Sequence, residues 1–173
     1  MKKAYQLVEV LITLSLFTIF CGAVFAILGT GQRSWTLVSL KQELSAQADQ
    51  GMRLMLRELY LTSVSQIQIS PTGEEITFQL PIGYSTSGDL KWGVGGQEGW
   101  EIRYLVSGQR LLRRVLDINA TVQEEGVLAN NISNLSFSLS GRRLDISLVA
   151  AKSAPRTGEV LSVPLSSSIT LRN

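Results

Sequence analysis

The sequence predicts an α+β chain: one long N-terminal helix, membrane-spanning in its first half and amphipathic in its second, packed on an antiparallel β-sheet domain. Three observations carry that expectation. An apolar run without a charged residue, VLITLSLFTIFCGAVFAIL, extends from Val10 to Leu28. Apolar residues then recur at helical spacing as far as Leu59. After Thr62 the pattern changes to short alternating segments separated by turn residues.

The apolar run is nineteen residues long. As a helix rising about 1.5 Å per residue it measures roughly 28 Å, close to the hydrocarbon thickness of a bilayer. Lys2 and Lys3 precede it, so the positive-inside rule puts Met1 in the cytoplasm and the rest of the chain outside. A cleaved secretory signal is the main rival reading. Such signals carry a shorter apolar core, about 7 to 15 residues, and end at a small-x-small site. Here the run is longer and no such site precedes the polar chain at Gln32. A lipid-modified cysteine at Cys21-Gly22 is a weaker rival still, because bulky Ile19 and Phe20 stand where small residues belong.

Glu9 is the one charged side chain between Lys3 and Arg33. A carboxylate at the edge of hydrocarbon costs roughly a few kcal/mol, so it is expected to be there for a partner. The plain alternative is an acid at headgroup level with no special role.

Beyond the anchor, Leu37, Leu40, Leu44, Ala48, Gly51, Met55 and Leu59 follow one helical face, while Glu43, Gln47, Gln50, Arg53 and Arg57 follow another. No proline occurs before Pro71, so nothing forces a break. Gly29 and Gly31 are the expected soft spot, each costing about 1 kcal/mol relative to alanine. A helix from about Tyr5 to Leu61 would reach roughly 85 Å.

Short strands are expected next, at Val64–Ile69 and Glu75–Leu80 across a Ser-Pro-Thr-Gly turn. The Gly- and Ser-rich stretch Pro81–Gly99 reads as a long exposed loop carrying Tyr84 and Trp92. Trp100–Val106 and Leu111–Leu116 flank Ser107-Gly108-Gln109 as a hairpin. Further strands are expected at Leu135–Leu139, Leu144–Val149 and Val160–Leu171, with a turn-rich loop at Lys152–Glu159. Trp100 is assigned to the core. Tyr84 and Trp92 are candidate contacts for another subunit, the alternative for Trp92 being cover for a sheet edge.

Composition excludes several function classes. The chain has no histidine and a single cysteine inside the apolar run, so neither a Ser-His-Asp set, a disulfide framework nor a zinc site is expected. Asp89 in the Gly/Ser loop, with backbone carbonyls nearby, could join a calcium site, but one carboxylate is too few to argue it. Glu74-Glu75 and Glu124-Glu125 are adjacent carboxylates, and neighbours on a strand would point to opposite faces, so they read as solvated charge. Gly93-Val94-Gly95-Gly96 opens no helix, so it is not a phosphate loop. Basic and acidic side chains number 16 and 14, leaving no field to draw in nucleic acid. The Arg113-Arg114 and Arg142-Arg143 doublets read as solvated strand positions. No enzyme activity, cofactor or metal is expected.

Taken as a whole, the N-terminus resembles the type IV prepilin signal. Lys2-Lys3-Ala4 followed by Tyr5-Gln6-Leu7-Val8-Glu9-Val10-Leu11-Ile12 has its basic leader, small residue, aromatic, and apolar helix with one glutamate. The later stretches Trp100-Glu101-Ile102-Arg103-Tyr104-Leu105, Leu111-Leu112-Arg113-Arg114 and Leu128-Ala129-Asn130-Asn131-Ile132-Ser133-Asn134-Leu135-Ser136-Phe137 resemble, more loosely, the J-type pseudopilin of type II secretion and the related W-type minor pilins. The resemblance implies a pilin-like fold with residues 1–4 as leader, 5–31 as transmembrane or filament-core helix, and 32–173 as a periplasmic domain.

It further implies cleavage between Ala4 and Tyr5 by a prepilin peptidase, N-methylation of Tyr5, and Glu9 as the assembly glutamate. Ala4 departs from the glycine usual before the cut. The implied setting is a bacterial inner membrane, single-pass, before the subunit enters a filament. Implied partners are inner-membrane lipid, a major subunit, and I-type and K-type minor subunits. The implied function is that of a minor pseudopilin that initiates or caps a type II secretion pseudopilus. The alternative is a minor pilin of a type IV pilus or DNA-uptake system, acting in assembly, adhesion or DNA contact.

Overall fold

The computed structural model describes residues 2–154 and 158–172. The chain divides into two compact units, Met1–Leu40 and Lys41–Asn173. One helix, α1 (Lys2–Leu59), contributes to both. Antiparallel strands follow it, so the architecture is α+β with a long N-terminal helix.

Within the first unit α1 passes through Gly29 and Gly31 without a break. Between them, the Thr30 hydroxyl donates to the carbonyls of Ala26 and Ile27 at 3.1 and 3.0 Å. With no proline nearby, two glycines lower helix propensity but block no backbone hydrogen bond.

The second unit adds eleven strands among the described residues. They are β1 (Ile67–Ile69), β2 (Ile76–Phe78), β3 (Leu80–Tyr84), β4 (Leu90–Val94), β5 (Gln97–Glu98), β6 (Glu101–Ser107), β7 (Arg110–Leu116), β8 (Val122–Asn130), β9 (Ile132–Ser140), β10 (Arg143–Ser153) and β11 (Val160–Thr170). They form a five-stranded sheet in the order β1-β2-β6-β7-β8 and two three-stranded sheets, β11-β10-β9 and β3-β4-β5. Alternation decides which side of each strand is dry. Along β10, Leu144, Ile146, Leu148 and Ala150 are buried while Arg143, Asp145 and Ser147 face outward.

Leu44, Ala48, Met52, Met55 and Leu59 join the strands' apolar faces in one core. At Gly51 helix and sheet approach closely. A Cβ there would lie 3.0 Å from Leu111 Cδ2 and 3.1 Å from the Ala129 Cβ. The last turn of α1 tightens, with Leu61 N–H donating to Glu58 O and Thr62 N–H to Leu59 O. Thr62 is buried, its hydroxyl donating to Gln79 O at 2.7 Å. The chain's end returns to the same place, where Ser63 and Arg172 form a parallel bridge.

Three sequence expectations change here. Residues 81–99 form the β3-β4-β5 sheet rather than a loop. Their glycines serve tight geometry: a Cβ on Gly93 would fall 1.9 Å from Gln97 O, and Gly95 and Gly96 turn the chain at positive φ. A strand with no counterpart in the expectation, β8, pairs along the whole of β7. Trp100 is only partly buried, packing against the core from its margin.

The close approach at Gly51 yields a prediction. Gly51→Val should lower the unfolding free energy by about 1–3 kcal/mol through overpacking. Urea denaturation of the full chain in detergent checks it; unchanged stability would mean that α1 stands off from β7 and β8.

Candidate functional site

The first unit presents an apolar surface that nothing in that unit covers. Twelve large apolar side chains among residues 10–28 are exposed, Ile19 at 71% and Phe25 at 75%. They point in all directions around the helix, the pattern of a segment meant for lipid or for other helices. By length and composition the helix is able to cross a membrane.

Its hydroxyls do not spoil that surface. Thr13 donates to Glu9 O at 2.7 Å, Ser15 to Leu11 O at 2.8 Å and Thr18 to Leu14 O at 2.7 Å. Each hydroxyl thus spends its proton on the preceding turn, as it must where water is absent. Cys21 is a free thiol. Glu9 is exposed, and its carboxylate has no hydrogen-bond or ion-pair partner among the described residues. The side chains of Lys2, Lys3, Ala4 and Tyr5 lie outside the described residues.

The second unit holds a different carboxylate. Glu58, near the end of α1, accepts a hydrogen bond from the Tyr104 hydroxyl on β6 at 2.5 Å. Arg113 on β7 places its Nε 3.1 Å from both Glu58 oxygens. Burial of Tyr104 drives its phenol well above the ordinary tyrosine value. The Glu58 charge and hydrogen bond add to that effect, and Arg113 opposes it. For Arg113, burial disfavours the charge, but Glu58 outweighs it and the guanidinium is held above its ordinary value. The cluster ties α1 to β6 and β7 as a structural clamp. Its members lie 46 and 55 residues apart along the chain, so no local sequence signal exposes it.

Further ties fix the rest of this helical stretch. Asn131 donates to Gln47 Oε1 at 3.2 Å, and Lys152 Nζ lies 3.3 Å from Glu43. Arg113 and Arg114 separate as strand neighbours must, and Arg142 lies in the turn before β10. Arg113 pairs with Glu58 and Arg114 with Glu125, while Arg142 donates to Leu171 O and Arg143 to Asp145. They form no shared basic patch.

Tyr84 and Trp92 fall in the small sheet. Tyr84 ends β3 and is 75% exposed. The register sets it opposite exposed Leu90, and Trp92, two residues beyond Leu90, shares that side of β4. Trp92 is half-buried and sits on the central strand of its sheet, not at an edge. Asp89 helps close the β3–β4 turn, accepting the Ser87 hydroxyl at 2.6 Å. Among the described residues, no three His, Cys, Asp or Glu side chains gather into a metal site. Compared with known proteins, the chain matches no family model and no curated protein.

The clamp has a pH signature. Tyr104 has a folded value above the unfolded value of about 10, so the unfolded chain ionises first. Its contribution to stability is full below about pH 10 and declines as pH rises towards the folded value. Alkaline absorbance titration of the full chain should show a late tyrosine step that Tyr104→Phe removes. An identical titration curve for that variant would refute the assignment.

Proposed function

We propose that this chain is a minor pseudopilin, a pilin-like structural subunit that initiates or caps a type II secretion pseudopilus. The observation that carries the reading is Glu9: a carboxylate with no partner among the described residues, at the head of an exposed, all-round apolar helix. The antiparallel domain that follows, with α1 seated on its sheets, supports it. So does the prepilin-like sequence around Ala4, Tyr5 and Glu9.

In this reading, a peptidase frees the amine of Tyr5 and the segment waits in the inner membrane with its domain in the periplasm. An incoming subunit's Glu9 then meets the liberated amine of its neighbour. Opposite charges attract strongly in a low-dielectric surrounding. Desolvating them is also expensive, so the pair rewards correct register more than it adds net stability. The apolar helices exchange lipid contacts for one another as the subunit leaves the bilayer. Tyr84 and Trp92 remain candidate contacts for a neighbouring subunit.

Two outcomes are expected. Mass spectrometry of the native protein should find an N-terminus at Tyr5, methylated. Glu9→Val should leave insertion, folding and cleavage unchanged and reduce recovery in purified filaments by an order of magnitude or more, the scale of one lost buried charge pair. Equal recovery of the variant and the unaltered chain, or retention of Met1 in assembled material, would overturn the reading.

A further inference from the structure

β11 is an edge strand of eleven residues, paired with β10 on one side. The direction of its backbone groups follows from two hydrogen bonds that continue the ladder. Ala154 N–H donates to Glu159 O, and Leu171 N–H donates to Arg142 O. Both obey the register in which Arg143 opposes Thr170 and Ser153 opposes Val160. Odd-numbered residues therefore turn their N–H and C=O groups towards β10, and even-numbered ones turn theirs away. Pro164 is even-numbered, so its missing N–H costs the ladder nothing and leaves the outer edge without a donor there. Beyond it, Ser166, Ser168 and Thr170 present an open row of donors and acceptors with no backbone partner among the described residues.

Beyond Pro164, this edge lacks the usual protections. β11 carries no charged side chain and no bulge against β10. Its core-facing Leu165 and Ile169 are only half-covered, while their β10 counterparts Leu148 and Leu144 are buried. Ile169 also lines an open groove of about 620 Å³ with Leu56, Tyr60 and Leu61 of the α1 end, where Arg53 and Arg57 form the rim. Arg53 is paired with Asp49. Arg57 has no partner among the described residues, and Arg172 stands over the Tyr60 ring at 5.7 Å.

We infer that the Ser166–Thr170 edge of β11 accepts an extended segment of a partner protein as an added strand. The segment alternates apolar and small polar residues, its apolar side lying in the groove and an acidic residue meeting Arg57. The open backbone row supplies the attachment. The half-covered core flank selects apolar side chains at every second position. Arg57 at the rim, without a partner among the described residues, selects a carboxylate. All these residues lie in the second unit, so the inference stands apart from the membrane reading.

The probe is an acetylated peptide, Thr-Val-Thr-Val-Thr-Glu-Thr, added to the full chain in detergent micelles. Amide hydrogen exchange should slow at Ser166, Ser168 and Thr170, and stay unchanged at Ser167 and Ile169, which already bond to β10. Ser168→Pro removes an outward donor without touching the ladder and should weaken binding by about tenfold or more, with the melting temperature held. Arg57→Glu should weaken it by at least about fivefold, and a lysine-for-glutamate peptide should recover that loss. N-methylation of the peptide on one alternate set of amides should abolish binding, while methylation of the other set leaves it intact. No slowing at millimolar peptide, or equal binding by both N-methylated peptides, would overturn the proposal. Slowing that instead rises with protein concentration in the absence of peptide would assign the edge to a second copy of the chain.

Discussion

The apolar surface of residues 10–28 sets the terms for everything else in this protein. Burying a large apolar side chain is worth about 1.5–3 kcal/mol, so twelve of them represent on the order of 20 kcal/mol or more. That exceeds the net stability of an ordinary domain, about 5–15 kcal/mol. No rearrangement of a single domain supplies such cover at acceptable cost. Such a surface is suited to lipid or to other helices, and in either setting its conformation must satisfy every polar group internally. An unbroken α-helix with its hydroxyls folded back onto preceding carbonyls meets that requirement.

The second unit uses the same helical period to a different end. Between Leu44 and Leu59 only one face is apolar, and that face is consumed by the sheets. Along its margins the helix is held by polar ties: Glu43 to Lys152, Gln47 to Asn131, and Glu58 to Tyr104 and Arg113. Half-buried charge pairs contribute little net energy once desolvation is counted, but removing one partner strands the other. Their effect is to fix the rotation of α1 on the sheet. Apolar packing supplies affinity without specifying register; these three contacts specify it.

How much of this was legible depended on whether the signal was local. Helix length, the apolar run and the isolated Glu9 are properties of one contiguous segment, and periodicity exposes them. The hairpin of β6 and β7 was equally plain, because its strands alternate around a Ser-Gly-Gln turn. β8 was invisible because Gln123, Glu124, Glu125 and Gly126 carry no apolar alternation. It is an outer strand with Ala129 as its one buried residue, and it exists because β7 needs a hydrogen-bonding neighbour. Residues 81–99 misled for the opposite reason. Glycine signals a loop by composition, yet at Gly93 it is demanded by the carbonyl of Gln97 pressing on a strand. The arginine doublets read as solvated strand positions, but Arg113 is drawn inward by a glutamate 55 residues earlier, a fact of tertiary structure alone, and Arg142 lies in the turn before β10.

Two glutamates on one helix make the contrast on which the functional reading turns. Glu58 is surrounded by its own chain: a phenol and a guanidinium meet its oxygens, and the cluster is complete. Nothing further is required of it, and its role ends with holding α1 in place. Glu9 has no such company among the described residues, although it heads a segment where an uncompensated charge is most costly. The hydroxyl of Thr13, one turn further along, is committed to the Glu9 carbonyl rather than its carboxylate. In the proposed reading, an amine on an adjoining subunit supplies the cation that Glu9 lacks among the described residues.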